Sequence, residues 1–398
     1  MVLNRKDLEG LDTFEREGLA EEEETVAPKD AIIEITQMCP LKCKHCFVGD
    51  KDVEEMSAEK WFNIMDKLYR RGVENLVIEG GEPTVHEDFY DILEYATQLF
   101  EVTVQTSGVA DTRLNDFDCN VTISFEYLNP ERNNEIRRMS DPDEWVYDRE
   151  RGVLYEKENK ERIQELGERL RGGEDVSQEI SEITKPIETE NVYDRALTKL
   201  KAIDPPKTLR ATIYTDNDVL GLAMLAESIN ANSVFVPLKP VGLGKELRSK
   251  APGSKRLLEV IRDIMTYNQH STMEHTVEET YWYMMNKRIW VNSNDVFKQR
   301  GRICSSGMGR LFVDYQGDVK PCFMLPEEDM GNILEDDIEE IYSNLYDYHE
   351  RAKEIADDKR CDSCLGGCIA VAKSREMEEN PCPMKVKKKA LNRMKSKV

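Results

Sequence analysis

Ala31-Ile32-Ile33-Glu34-Ile35-Thr36-Gln37-Met38-Cys39-Pro40-Leu41-Lys42-Cys43-Lys44-His45-Cys46 is the stretch on which the fold turns. A short apolar run predicts a buried strand over residues 31–36. A loop follows at once, with three cysteines separated by three and then two residues. A cubane iron–sulfur cluster contains four irons. Three thiolates on one loop ligate three of them and leave the fourth open to a substrate or cofactor, whereas an electron carrier would close it with a fourth cysteine. Zinc is the competing reading, with His45 as a fourth ligand. His45 lies between two of the cysteines, however, and its side chain would have to fold back onto the same ion.

Working outward, further strands are expected at 76–79, 102–106, 121–125, 209–214 and 233–237, with helical patterns between them. The first crossover is an amphipathic helix with Ser57 as its cap, a stripe of Trp61, Ile64, Leu68 and Tyr69, and Gly72 just past its end. Strand, helix, strand at these lengths implies a parallel sheet, and six such units make a partial (β/α)6 TIM-type barrel in an α/β fold.

The expected organisation is an acidic arm over 1–28, the barrel over 29–248 with a charged insertion at about 140–191, a helical connection over 249–302, and a cysteine-bearing domain over 303–398. The insertion carries a stripe of Ile163, Leu166 and Leu170 and reads as a solvated helical excursion, with a lid or docking element as the alternative. The aromatic stretch from Tyr281 to Trp290 reads as core, with a substrate wall as the alternative, and the lysine-rich end over 385–397 as solvated, with docking of an acidic partner as the alternative.

With 398 residues, of which 39% are hydrophobic and 33% charged, the chain can bury a large core, which excludes whole-chain disorder. Its 78 acidic and 55 basic residues leave a formal net charge of -23. A field of that sign repels nucleic acids and anionic membrane surfaces, so neither is expected as a partner. No run reaches the roughly 18 apolar residues of a membrane span, and residues 1–10 lack the apolar stretch of a signal peptide. A cytoplasmic setting is expected. There, nine of the ten cysteines fall in two clusters that suit thiolate ligands better than cystines. The tenth, Cys119, reads as a plain core residue.

The loop Cys39 to Cys46, with Phe47 after it, resembles the signature of the radical S-adenosylmethionine (SAM) enzymes. Glu79-Gly80-Gly81-Glu82-Pro83 resembles that family's GGEP segment, which holds the amino group of the cofactor's methionine. Gln105-Thr106-Ser107-Gly108 is similar to its polar-residue-then-glycine turn. Thr122-Ile123-Ser124-Phe125-Glu126 resembles its "SLD" strand, with Glu126 where aspartate is usual, and residues 133–138, including Arg137, resemble the helix after it. The resemblance implies a [4Fe–4S] cluster on Cys39, Cys43 and Cys46. It also implies SAM contacts from His45, Gly80, Gly81, Glu82, Pro83, Thr106, Ser107, Ser124, Glu126 and Arg137, and an external electron donor such as a ferredoxin or flavodoxin.

Cys304 and Cys322 bracket Gly317, and Met330-Gly331-Asn332-Ile333-Leu334 follows. With Cys361, Cys364, Cys368 and Cys382, this half resembles a SPASM domain, which holds auxiliary iron–sulfur clusters. The family pattern has seven cysteines and this chain has six. Two allocations stay open: two clusters, on Cys304, Cys322 and Cys368 and on Cys361, Cys364 and Cys382, or one cluster on four of the six. Zinc suits a Cys-x-x-Cys pair as well.

Within that resemblance the expected reaction is hydrogen abstraction from a peptide or protein substrate. The alternatives are a porphyrin or other small molecule, and a non-catalytic metal scaffold.

Overall fold

Alternation along the strands sets the architecture. In β1 (Asp30–Thr36), Ala31, Ile33 and Ile35 face one way and are buried with Leu76 and Ile78 of β2 (Asn75–Gly80) and Val102 and Val104 of β3 (Glu101–Thr106). Val121 and Ile123 of β4 (Asn120–Ser124), Leu209, Ala211 and Ile213 of β7 (Lys207–Ile213), and Phe235 of β8 (Asn232–Pro237) continue the same face. Helices cover it. The opposite face carries polar side chains, among them Glu34, Glu79, Thr122 and Arg210.

The computed structural model describes residues 28–47, 55–109, 113–137, 145–148, 153–156, 192–204, 206–239, 242–278, 306–307 and 309–356. Their main sheet has nine strands, with β1-β2-β3-β4-β7-β8 in that order at its centre, and is not closed. The six expected strands form its contiguous centre, all parallel. Each edge extends further than expected. β9 (His275–Val277) joins parallel to β8, so part of the expected helical connection belongs to the sheet. On the other side β10 (Arg310–Val313) joins parallel to β1, and β11 (Val319–Lys320) folds back antiparallel onto it.

Helix α1 (Ala58–Arg70) buries Trp61, Ile64, Met65 and Leu68 against the sheet. Ser57 stands at its N-cap without a capping hydrogen bond from its side chain. The Asp88 carboxylate instead accepts from the Ala58 N–H at 3.0 Å. Gly72, at φ +82°, turns the chain out of the helix. Helices α2 (Phe89–Leu99), α4 (Val192–Ala202), α5 (Val219–Ser228) and α6 (Ser254–Tyr267) contribute to the same apolar core. α3 (Pro130–Ile136) lies above the end of β4, its N-cap Asn129 accepting from the Arg132 N–H.

Within the charged insertion, β5 (Trp145–Asp148) and β6 (Val153–Glu156) form a separate antiparallel pair. The helical stripe expected at Ile163, Leu166 and Leu170 lies outside the described residues, as do the acidic arm, the 281–290 aromatics and the lysine-rich end. Beyond β11, α7 (Ile338–Ala356) docks on α1: Arg71 pairs with Glu339 and lies 5.2 Å from the centroid of the Tyr342 ring. Cys119 is half-buried against the core, and burial pushes its thiol up to about 11, which suits a packing residue. No helix among the described residues is long and apolar enough to cross a membrane.

Candidate functional site

The cysteine loop leaves the carboxyl end of β1 and is fastened on several sides. The Lys44 N–H donates to the Ile136 carbonyl at 2.9 Å, tying it to α3, and the Lys44 ammonium pairs with Glu135 at 3.2 Å. The Leu243 N–H donates to the Cys46 carbonyl at 2.8 Å. At Gly242, φ +53°, a Cβ would collide with the backbone of Cys46 and Phe47, so only glycine lets the segment after β8 lie this close. Within the loop, the Cys46 N–H donates to the Cys43 carbonyl at 3.1 Å and the Leu41 N–H points at the Cys39 sulfur at 3.4 Å.

His45 reaches across to the neighbouring strands. Its Nδ1 is 2.9 Å from the Tyr214 hydroxyl and its Nε2 is 3.6 Å from Glu126. Burial lowers its pKa, and the Glu126 carboxylate opposes that shift. Glu126 is itself buried. It accepts from the Thr212 N–H at 2.5 Å, so the cysteine loop, β4 and β7 meet at one carboxylate. Burial, then the charge of Glu126, raises the Tyr214 hydroxyl well above its ordinary value, so it stays protonated and stacks on Tyr127.

The turn after β2 lies directly beneath the approach to Cys39. The Gly81 N–H donates to the Thr36 carbonyl and the Glu82 N–H to the Met38 carbonyl, each at 2.8 Å. A Cβ at Gly80 would strike the Thr36 carbonyl, and one at Gly81 the carbonyls of Gln37 and Met38. Both glycines are therefore required by this close approach. Pro83 opens the short helical turn that follows.

Glu82 is fully buried, and its two oxygens accept five hydrogen bonds. Oε1 takes them from the Thr84 N–H (3.4 Å), the Thr84 hydroxyl (2.7 Å) and the Thr106 hydroxyl (2.7 Å). Oε2 takes them from the Ser107 N–H (2.7 Å) and the Ser107 hydroxyl. Its carboxylate thus welds the turn after β2 to the turn after β3. Arg137 does the same one strand further on, donating to the carbonyls of Ser124 and, at 3.2 Å, of Ser107. Gly108 sits at φ +73°, a conformation that suits glycine, and a Cβ there would stand 3.0 Å from the Ile123 side chain.

The structure thus brings Cys39, Cys43, Cys46, His45, Gly80, Gly81, Glu82, Pro83, Thr106, Ser107, Ser124, Glu126 and Arg137 to the carboxyl ends of β1 to β4. Sequence reading overlooked Tyr214 and Asn217, which share this network through His45 and Glu126. Asn133, read only as the start of the helix after β4, joins it too: its Oδ1 accepts from the Glu126 N–H at 3.0 Å. Among the described residues no three His, Cys, Asp or Glu side chains stand close enough to share one metal ion. In a [4Fe–4S] cluster each thiolate binds a different iron, so the loop need not bring them that close. The donor set fits such a cluster: three cysteines on one clamped loop, with the Leu41 N–H turned to the Cys39 sulfur.

Cys322 follows β11, at the end of the hairpin turned by Gly317 at φ +89°. Phe323, next to it, packs on Phe47, next to Cys46, with ring centroids 4.6 Å apart. The other cysteines of the second cluster, Cys304, Cys361, Cys364, Cys368 and Cys382, lie outside the described residues.

Comparison with known proteins agrees with this geometry. Residues 33–147 match the radical SAM superfamily model, and residues 304–368 match that of the SPASM iron–sulfur cluster-binding domain. The mycofactocin maturase MftC of Mycolicibacterium smegmatis is 36% identical over 114 residues, which are 26% of this chain and 29% of that one. The PqqA peptide cyclase of Bradyrhizobium diazoefficiens is 32% identical over 109 residues, 25% of this chain and 29% of the relative. These matches therefore span under a third of each curated relative. Among solved structures, SuiB of Streptococcus suis bound to its precursor peptide SuiA superposes with a TM-score of 0.65 at 16% identity, covering 94% of this chain and 79% of that one. SuiB bound to S-adenosylmethionine gives 0.61, covering 89% and 76%. At such identity the likeness concerns the fold.

Proposed function

This chain carries a radical SAM domain and a SPASM domain and belongs to the radical SAM superfamily; from that premise we propose that it modifies a peptide or protein side chain. The observation that carries the reading is the three-cysteine loop clamped by α3, Gly242 and Tyr214 directly above the Gly81–Glu82 turn. A named peptide cyclase and a maturase among the relatives support a peptide as substrate, as does the fold shared with a protein crystallised on its precursor peptide.

Cys39, Cys43 and Cys46 would hold a [4Fe–4S] cluster. Cys322, with Cys304, Cys361, Cys364, Cys368 and Cys382, would hold one or two auxiliary clusters. When bound, the first cluster and SAM supply a primary carbon radical able to remove a hydrogen atom from an unactivated carbon.

The chain's own residues bind, orient and shield. Glycines 80 and 81 let the backbone approach closely, and Glu82 keeps the β2 and β3 turns in one frame. Thr106, Ser107, Ser124, Glu126 and Arg137 line or brace the next two strand ends. His45, Glu126 and Tyr214 hold the cysteine loop over the polar face of the sheet. An external one-electron donor of the ferredoxin or flavodoxin class and a reducing, cytoplasmic setting complete the proposal.

The test is anaerobic reconstitution with iron and sulfide, then dithionite and SAM. The expected result is 5′-deoxyadenosine release, with a mass change in a member of a peptide library. Release without any peptide change would leave cofactor cleavage standing and overturn the peptide substrate.

A further inference from the structure

On the polar face of the sheet, below the cysteine loop, Glu34 of β1 and Glu79 of β2 are direct partners in the parallel register. Their sequence neighbours Ile33, Ile35 and Ile78 point into the helix-covered core, so alternation turns both carboxylates to the other face. They are 3% and 5% exposed. Two acids side by side on a buried face cost stability, since like charges in register repel and neither is hydrated. Glu34 accepts a hydrogen bond from the Gln37 side-chain amide at 3.2 Å. Oε1 of Glu79 is buried with no hydrogen-bond partner among the described residues. Such a group calls for a ligand.

The surrounding charge sets the ligand's sign. Asp314, in the β10–β11 hairpin, adds a third carboxylate within electrostatic reach of Glu34. Arg210 of β7 and Arg310 of β10 act on Glu79 from the flanks, but Arg310 is already engaged by Asp30 at 3.3 Å. Burial pushes Glu34 up to about 8, with the charges of Glu79 and Asp314 adding to the shift, and pushes Glu79 up to about 7 against the opposing pull of Arg210 and Arg310. The whole chain, at -23, favours a cationic partner in the same sense.

We propose that Glu34 and Glu79 form the seat for a basic side chain of the substrate, the ammonium of a lysine or the guanidinium of an arginine, at the floor of the site. The substrate part of this proposal rests on the peptide-modifying reading; the cation seat itself does not. A cationic head there would pair with both carboxylates and satisfy Oε1 of Glu79.

The test uses the full chain, anaerobic and cluster-loaded, with SAM saturating, and reads the melting temperature in n-butylguanidinium or n-butanol. The expected result is a rise of at least about 1 °C with the cation alone, absent in the Glu34→Gln/Glu79→Gln variant. A wild-type rise that the double variant retains, or no rise at all, would overturn the seat. In a parallel run without SAM, a rise seen only there would overturn it as well, because the pair would then serve the cofactor.

A second arm pans a decapeptide library against both proteins. Wild type should enrich peptides bearing lysine or arginine over norleucine by about tenfold, and the double variant should not, if the pair gives about 1.4 kcal/mol of discrimination. Guanidinium protection without any peptide enrichment would keep the seat and reject a peptide as its occupant.

Discussion

Glu82 shows how much one side chain can hold. Its carboxylate joins the Thr84, Thr106 and Ser107 hydroxyls and two backbone N–H groups at the floor of the site. Glu82→Gln turns one acceptor into a donor facing donors, one of them the immovable Ser107 N–H. It should lower unfolding stability by about 2–4 kcal/mol and weaken SAM binding, checked by anaerobic denaturant titration and equilibrium dialysis. Glu34 and Glu79 make a second residue-scale prediction. Their folded-state pKa values lie above the ordinary 4.5, so the folded chain holds protons that the unfolded chain releases. Their contribution is whole below about pH 4.5 and is lost as pH rises through about 7 and then 8, with Asp314, Arg210 and Arg310 the charged groups acting on them. The melting temperature of wild type should fall over this window, and that of the Glu34→Gln/Glu79→Gln variant should fall less.

At the scale of elements, the six central strands were legible because each is a short apolar run bounded by helical patterns or turns, whereas the short edge strands β9, β10 and β11 were not. The cysteine loop and the turn after β2 were legible for a related reason: their glycines and cysteines allow few alternatives. Glu34 and Glu79 were not read as a pair, since one carboxylate in each of two strands looks unremarkable until the register sets them side by side. Tyr214 escaped for the same reason, being 169 positions from His45. Local pattern points to Ser57 as the cap, and Asp88, 30 residues beyond Ala58, takes that place instead. Packing of the β8 segment on the cysteine loop gives an element-scale prediction. Gly242→Ala should push the Cys46–Phe47 backbone away, so iron bound at the first site should drop at least about twofold while far-UV circular dichroism stays native-like.

For the whole molecule, the long-range join between the two halves decides the behaviour. β10 pairs with β1 across about 280 positions, and no local pattern announces such a contact. The chain that bears Cys322 is thereby part of the same sheet as the chain that bears Cys39 to Cys46, and Phe47 against Phe323 closes the contact. A chain stopped at residue 302 would leave β1 as an open edge and lose Leu311 and Val313 from the core. It should be recovered mainly as aggregate, read by size-exclusion chromatography, with no independently folded N-terminal half. Recovery of a monomeric, cooperatively melting fragment would show that the halves are separable.

The central claim is that Cys39, Cys43 and Cys46 hold a cluster with one iron left for SAM. Electron–nuclear double resonance on the dithionite-reduced full chain, with SAM carrying nitrogen-15 in its amino group and oxygen-17 in its carboxylate, tests it most directly. Hyperfine coupling of both labels to the reduced cluster, absent from Cys43→Ala, is the predicted result. A fully loaded wild-type cluster that shows no coupling to either label would contradict it.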